Sequence, residues 1–123
     1  MALFYFDVTE LCYSDLQAAK RWWIETFDCR QVPIPPNWED ICPSDIALLT
    51  PEAKLPLILL SDKAEVDCDE AVVPIISCKK LEKAREYLSE RGVIAGPLQD
   101  GGDCQFFEIR DSEGHVIEIC TEP

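Results

Sequence analysis

Within 123 residues one pattern of side chains occurs twice. Laying Leu16 on Leu81 brings Ala19 onto Ala84, Lys20 onto Arg85, Trp22 onto Tyr87 and Trp23 onto Leu88. Both sets recur at helical spacing, and each follows an apolar run with the look of a strand. Ala2 to Val8 leads the first set, with Phe4, Phe6 and Val8 alternating; Ala71 to Ser77 leads the second. The repeat predicts one domain over 1–123, built from a module at about 1–62 and a module at about 70–123. Neither module carries enough apolar surface to stand alone, so the two are expected to pack as a pair.

The boundaries follow from local chemistry. Ser14 or Asp15 offers a side-chain oxygen to cap a helix running to about Phe27. The second helix, Leu81 to Arg91, ends where Gly92 tolerates a left-handed backbone. Between Arg30 and Ser61 six prolines exclude a long helix and leave Ile46 to Leu49 and Leu57 to Leu60 as the strand candidates. Asp62 to Glu70 is polar and reads as the connection between modules. Two apolar runs flanking Asp111 to Gly114 close the chain as a β-hairpin, because Asp bonds its own backbone and Gly accepts positive φ. Glu118 alternates with Ile117 and Ile119 in that last strand, a carboxylate set into an apolar run.

Charge and cysteine content narrow the function classes. The formal charge of −13, from 24 acidic against 11 basic residues, repels phosphates and anionic headgroups, which argues against nucleic acid and membrane surfaces as partners. Seven cysteines are an odd number without a CxxC spacing, and no apolar run approaches membrane-spanning length, so a reduced, cytoplasmic protein is expected. Each thiol is read first as a small buried hydrophobe, with Cys78 the one lead to a reactive thiol because Lys79 and Lys80 follow it. Trp22 and Trp23 read as core packing. His115, beside the hairpin turn, is expected at the surface.

The two βαβββ modules, the Asp15-Leu16-Gln17-Ala18-Ala19 helix start and the closing hairpin from Phe106 to Ile119 resemble the vicinal oxygen chelate superfamily. That group contains glyoxalase I, extradiol dioxygenases, fosfomycin-resistance enzymes and bleomycin-resistance proteins. The resemblance implies an α+β fold, two modules forming a curved, open mixed sheet, and a homodimer. In metal-dependent members the ligands come from the first and last strand of each module. Carried over by position, these places fall on Glu118, at or next to Val8, at or next to Val73, and within Pro56 to Leu60. One carboxylate is too few donors for a divalent ion. The resemblance thus implies the fold, while the residues argue against its metal, and no cofactor is expected.

Two functional readings follow. In the first the chain is a metal-free binder of the bleomycin-resistance type. Phe6, Trp38, Phe107 and Trp22 are then candidates to line an apolar pocket, Glu118 and Arg110 are polar anchors, and the ligand is an aromatic or cationic small molecule. The proline-rich stretch Gln31 to Ser44, with Trp38 at its centre, serves either as a semi-rigid lid or as the cover of an edge strand. In the second, the chain is a glyoxalase-like lyase, isomerase or dioxygenase, with Glu118 as general base or as a metal ligand beside Asp7 and Glu108. A regulatory dimer module is a third possibility.

Overall fold

The computed structural model describes residues 3–66 and 73–121. Among them are two helices and nine strands, grouped as two units, one over 8–70 and one combining 1–7 with 71–123. The first unit runs β2 (Thr9–Tyr13), α1 (Leu16–Phe27), β3 (Arg30–Val32), β4 (Ile46–Leu49) and β5 (Ile58–Asp62). Its sheet has the order β2-β5-β4-β3, with β2 parallel to β5 and the other pairs antiparallel. The second unit holds β1 (Phe4–Tyr5), β6 (Ile75–Cys78), α2 (Leu81–Glu90), β7 (Gln99–Asp100), β8 (Gln105–Arg110) and β9 (Val116–Thr121), ordered β1-β6-β9-β8-β7. Apart from β1, the two topologies are the same: a first strand, a helix, then three strands of which the last lies parallel to the first.

The helices form where capping and periodicity agree. The Asp15 carboxylate accepts from the Ala18 amide at 3.1 Å, opening α1, and Asp28 closes it at φ 56°. Ala19, Trp23 and Phe27, one turn apart, are buried, and α1 lies against β5. The indole Nε1 of Trp23 donates to the Tyr13 hydroxyl at 3.0 Å, so both large aromatics bury without an orphaned polar atom. Trp22 is half-buried, its ring edge-on to Trp23 at 5.1 Å. Helix α2 ends as expected at Gly92, φ 79°, with the Val93 amide returning to the Leu88 carbonyl at 3.0 Å.

The hairpin between β8 and β9 is held by one carboxylate. Asp111 Oδ1 accepts from the amides of Glu113 at 3.0 Å and His115 at 2.9 Å, and its Oδ2 lies 3.2 Å from His115 Nδ1. Gly114 takes φ 80°. Above this turn Phe107, Ile109, Ile117 and Ile119 are buried on the face against which α2 packs.

One boundary differs from the sequence reading. Ala2 to Val8 is not one strand: Phe4 and Tyr5 pair with β6, and a fresh strand starts at Thr9 in the other sheet. The alternation of Phe4, Phe6 and Val8 records that the backbone is extended but not which strand it pairs with. Ala71 and Val72, part of the expected strand before α2, lie outside the described residues, as does part of the connection at 67–70.

Candidate functional site

The face of the first sheet turned away from α1 carries a cavity of about 330 Å³. Its floor is Leu57 and Leu59 at and before β5, and its side is Val8, Thr9 and Glu10 at the start of β2. Glu10 pairs in register with Leu59, so the carboxylate stands on the same face as that buried leucine. Trp38, Glu39 and Ile41 complete the lining from the proline-rich loop. Of the two uses expected for that loop, this placement supports the lid.

Local bonds give the loop its shape. The Trp38 amide donates to the Pro35 carbonyl at 3.1 Å, a turn that proline favours, and Asp40 follows at φ 57°. Asp45 Oδ2 accepts from the Cys42 amide at 2.9 Å, and the Ser44 hydroxyl donates to Glu65 at 2.6 Å. Two of these bonds shape the loop from within, and the Ser44–Glu65 bond ties its C-terminal side to the end of the unit.

The remaining expected site residues lie in the second unit. Glu118 is half-buried on β9 and faces Glu108 of β8 directly. Its amide donates to Pro74 on the other side at 2.9 Å, which makes Glu108 and Glu118 a non-hydrogen-bonded pair with their side chains close. Cys120, next on the same face, points its Sγ at Glu118 Oε1 across 3.9 Å. Arg110 is committed to the hairpin, its Nη1 donating to the Gly114 carbonyl at 2.9 Å. Phe107 is fully buried, with Arg85 5.7 Å from its ring centroid, so its ring is core and has no surface for a ligand. Phe6 is half-buried, its ring 6.3 Å from that of Phe4.

The repeat relates the two faces. The offset that lays Leu16 on Leu81 lays Glu10 on Ile75, and the registers then match Glu10 and Leu59 with Ile75 and Glu118. Each unit thus opposes one carboxylate to one aliphatic residue, with the roles of first and last strand exchanged. Glu10 escaped the sequence reading because the first strand was ended at Val8. Its own repeat partner, Ile75, was the signal that it belonged to a strand.

The places where the resemblance would put metal ligands are short of donors: Val8, Val73 and the stretch Pro56 to Leu60 offer no side-chain donor atom, which leaves the carboxylate of Glu118. Among the described residues no group of three or more His, Cys, Asp or Glu side chains stands together to hold one.

Thiol chemistry is also disfavoured at the interior cysteines. Burial, then the adjacent Asp28, pushes Cys29 up to about 12; burial, then Cys104 and Glu118, pushes Cys120 up to about 12. Cys78 is fully buried, and Lys79 rests 5.7 Å over the Tyr5 ring, which removes the lead to a reactive thiol there. Cys29, Cys42, Cys78, Cys104 and Cys120 are free, whereas Cys12 is disulfide-bonded, a departure from the fully reduced expectation. No helix among the described residues is long and apolar enough to cross a membrane.

No protein-family model and no curated protein matches the chain. Solved structures do match. TnmS3 from Streptomyces sp. CB03234, an antibiotic binding protein, is 17% identical with a TM-score of 0.69, covering 100% of this chain and 99% of that one. TioX from Micromonospora sp. ML1 is 23% identical with a TM-score of 0.61, covering 94% of each chain. A glyoxalase/bleomycin resistance protein/dioxygenase superfamily member from Sphaerobacter thermophilus DSM 20745 is 16% identical with a TM-score of 0.68, covering 96% of this chain and 97% of that one. The chain carries the fold of the glyoxalase/bleomycin resistance protein/dioxygenase superfamily, the vicinal oxygen chelate group that its hairpin and repeated modules resemble.

Proposed function

We propose that this chain is a metal-free small-molecule-binding protein of the bleomycin-resistance type, cytoplasmic and homodimeric, holding its ligand under Trp38 on the open face of the first sheet. The observation that carries this reading is the cavity of about 330 Å³, lined by the aliphatic Leu57 and Leu59 and by the indole of Trp38. A cavity of that size suits a drug-sized organic molecule. The named antibiotic-binding role of TnmS3, a chain of the same fold and length, lends support. Five free thiols among the described residues favour a reducing compartment.

Native mass spectrometry of the freshly purified chain tests the proposal. A metal-free dimer, empty or holding an organic mass, is the expected result; stoichiometric divalent metal would overturn it. A second reading keeps Glu118 as a general base, favoured by one observation: a half-buried carboxylate faced by a second carboxylate, Glu108. Under that reading Glu118→Gln abolishes turnover of a carbonyl substrate. Under the binder reading it leaves ligand affinity within a few-fold.

A further inference from the structure

We propose that the Trp38 cavity selects an organic cation, an apolar or aromatic body carrying a positively charged nitrogen, and that Glu10 and Glu39 make the selection. The proposal rests on the reading of this cavity as a ligand site and adds the ligand's charge.

Three observations carry it. The lining combines an indole and an aliphatic floor with two carboxylates, and among the described lining residues there is no Lys, Arg or His. Neither Glu10 nor Glu39 has an ion pair or a side-chain hydrogen bond among the described residues, so no basic group among them neutralises the rim. Lastly, Glu10 is placed by strand register, not by a loose loop: its pairing with Leu59 fixes it over the buried floor.

An anion entering here meets two uncompensated carboxylates and the field of a chain with formal charge −13. A neutral apolar molecule gains the floor and the indole but leaves the rim unused. A cation gains all three, because an ammonium group is attracted to both carboxylates and to the face of an indole. The carboxylates are exposed, so each contributes modestly; a unit charge about 4 Å away in water corresponds to roughly a five-fold change in affinity.

The test uses two dyes with the same xanthene frame and opposite charge, tetramethylrhodamine methyl ester and fluorescein, with neutral Nile red as the uncharged probe. Fluorescence polarisation titrations of the whole chain are run at about 20 mM and again at about 500 mM salt, where screening shortens the reach of exposed charges. The rhodamine ester is expected to bind at least ~20-fold more tightly than fluorescein at low salt, with the gap narrowing at high salt. Glu10→Gln and Glu39→Gln should each lower rhodamine affinity about 3- to 10-fold and leave Nile red unchanged. Trp38→Ala should weaken rhodamine and Nile red alike. Circular dichroism checks that each variant folds, and two separate carboxylate variants guard against one that does not.

Fluorescein binding as tightly as the rhodamine ester, or rhodamine affinity unmoved in both carboxylate variants, would overturn the charge selection while Trp38-dependent Nile red binding left the binder reading intact. Rhodamine binding indifferent to Trp38→Ala would place it on the acidic surface at large and overturn the proposal. Binding of none of the three dyes would overturn the binder reading itself, and the charge selection with it.

Discussion

The facing carboxylates of Glu108 and Glu118 give a prediction that can be worked from geometry. In a non-hydrogen-bonded antiparallel pair the Cα atoms are about 4.5 Å apart and the side chains stand close. Carboxylates separated by about 6 Å repel by roughly 0.7 kcal/mol in bulk water and roughly 2.8 kcal/mol at an effective dielectric constant near 20. Both residues are half-buried and neither has a cationic partner among the described residues, so the repulsion is only partly screened. Like-charge pairs directly opposite on a sheet destabilise by roughly 0.2–1 kcal/mol. We therefore expect Glu108→Gln to stabilise the chain by about 1 kcal/mol, which raises the urea midpoint by ~0.5 M for a slope of about 2 kcal/mol/M. Glu118→Gln gains less, because it also perturbs the contact from Cys120 Sγ. The double variant should add little to Glu108→Gln, giving a coupling of about 1 kcal/mol in a double-mutant cycle. Exposed Glu86 of α2 is the control for net charge: Glu86→Gln should move the midpoint little. In about 1 M salt, where the screening length is about 3 Å, most of the gain should vanish. A neutral or destabilising Glu108→Gln with no coupling to Glu118 would refute the account of this face as a strained pair.

Asp111→Ala removes an acceptor from two amides and the contact with His115, and should cost about 2 kcal/mol in chemical denaturation, with Asp111→Asn recovering part of it. Trp23→Phe takes the buried indole donor from the Tyr13 hydroxyl and opens a void beside Phe27; a loss of about 2–4 kcal/mol is expected from urea midpoints. Cys29 and Cys120, both raised from 9.0 to about 12, should escape alkylation in the native chain at pH 8, as read by peptide mass mapping. The sign of their pH effect follows: a folded-state thiol raised above its unfolded value contributes stability below pH 9, and this is lost as pH climbs from about 9 towards about 12. Chain stability that rises through that window would contradict the burial assigned to these two thiols.

The repeat, the helix limits and the closing hairpin were legible in the sequence because each is a local pattern. Asp15 caps its own helix, Gly92 ends the second, and Asp111 with Gly114 reverses the last two strands through bonds spanning no more than four residues. That Val8, Val73 and the stretch Pro56 to Leu60 carry no side-chain donor is likewise a property of residue type, readable before any fold is known. The site was only half legible. Trp38 announced itself as an aromatic at the centre of a proline-rich loop, but only the folded chain brings it to the cavity beside Leu57 and Leu59. Glu10 and Phe107 show the limit from opposite sides. Alternation states which residues share a face, not which face is covered by a helix, so Phe107 reads as a pocket candidate although it is buried, and Glu10, just past the apolar run, is not singled out. What the tertiary structure decided was the pairing: Phe4 and Tyr5 join β6, Thr9 starts anew beside Ile58, and that register alone sets Glu10 over Leu59. Strand pairing is a contact between residues distant in the chain, selected by burial on both faces at once, and no local pattern encodes it.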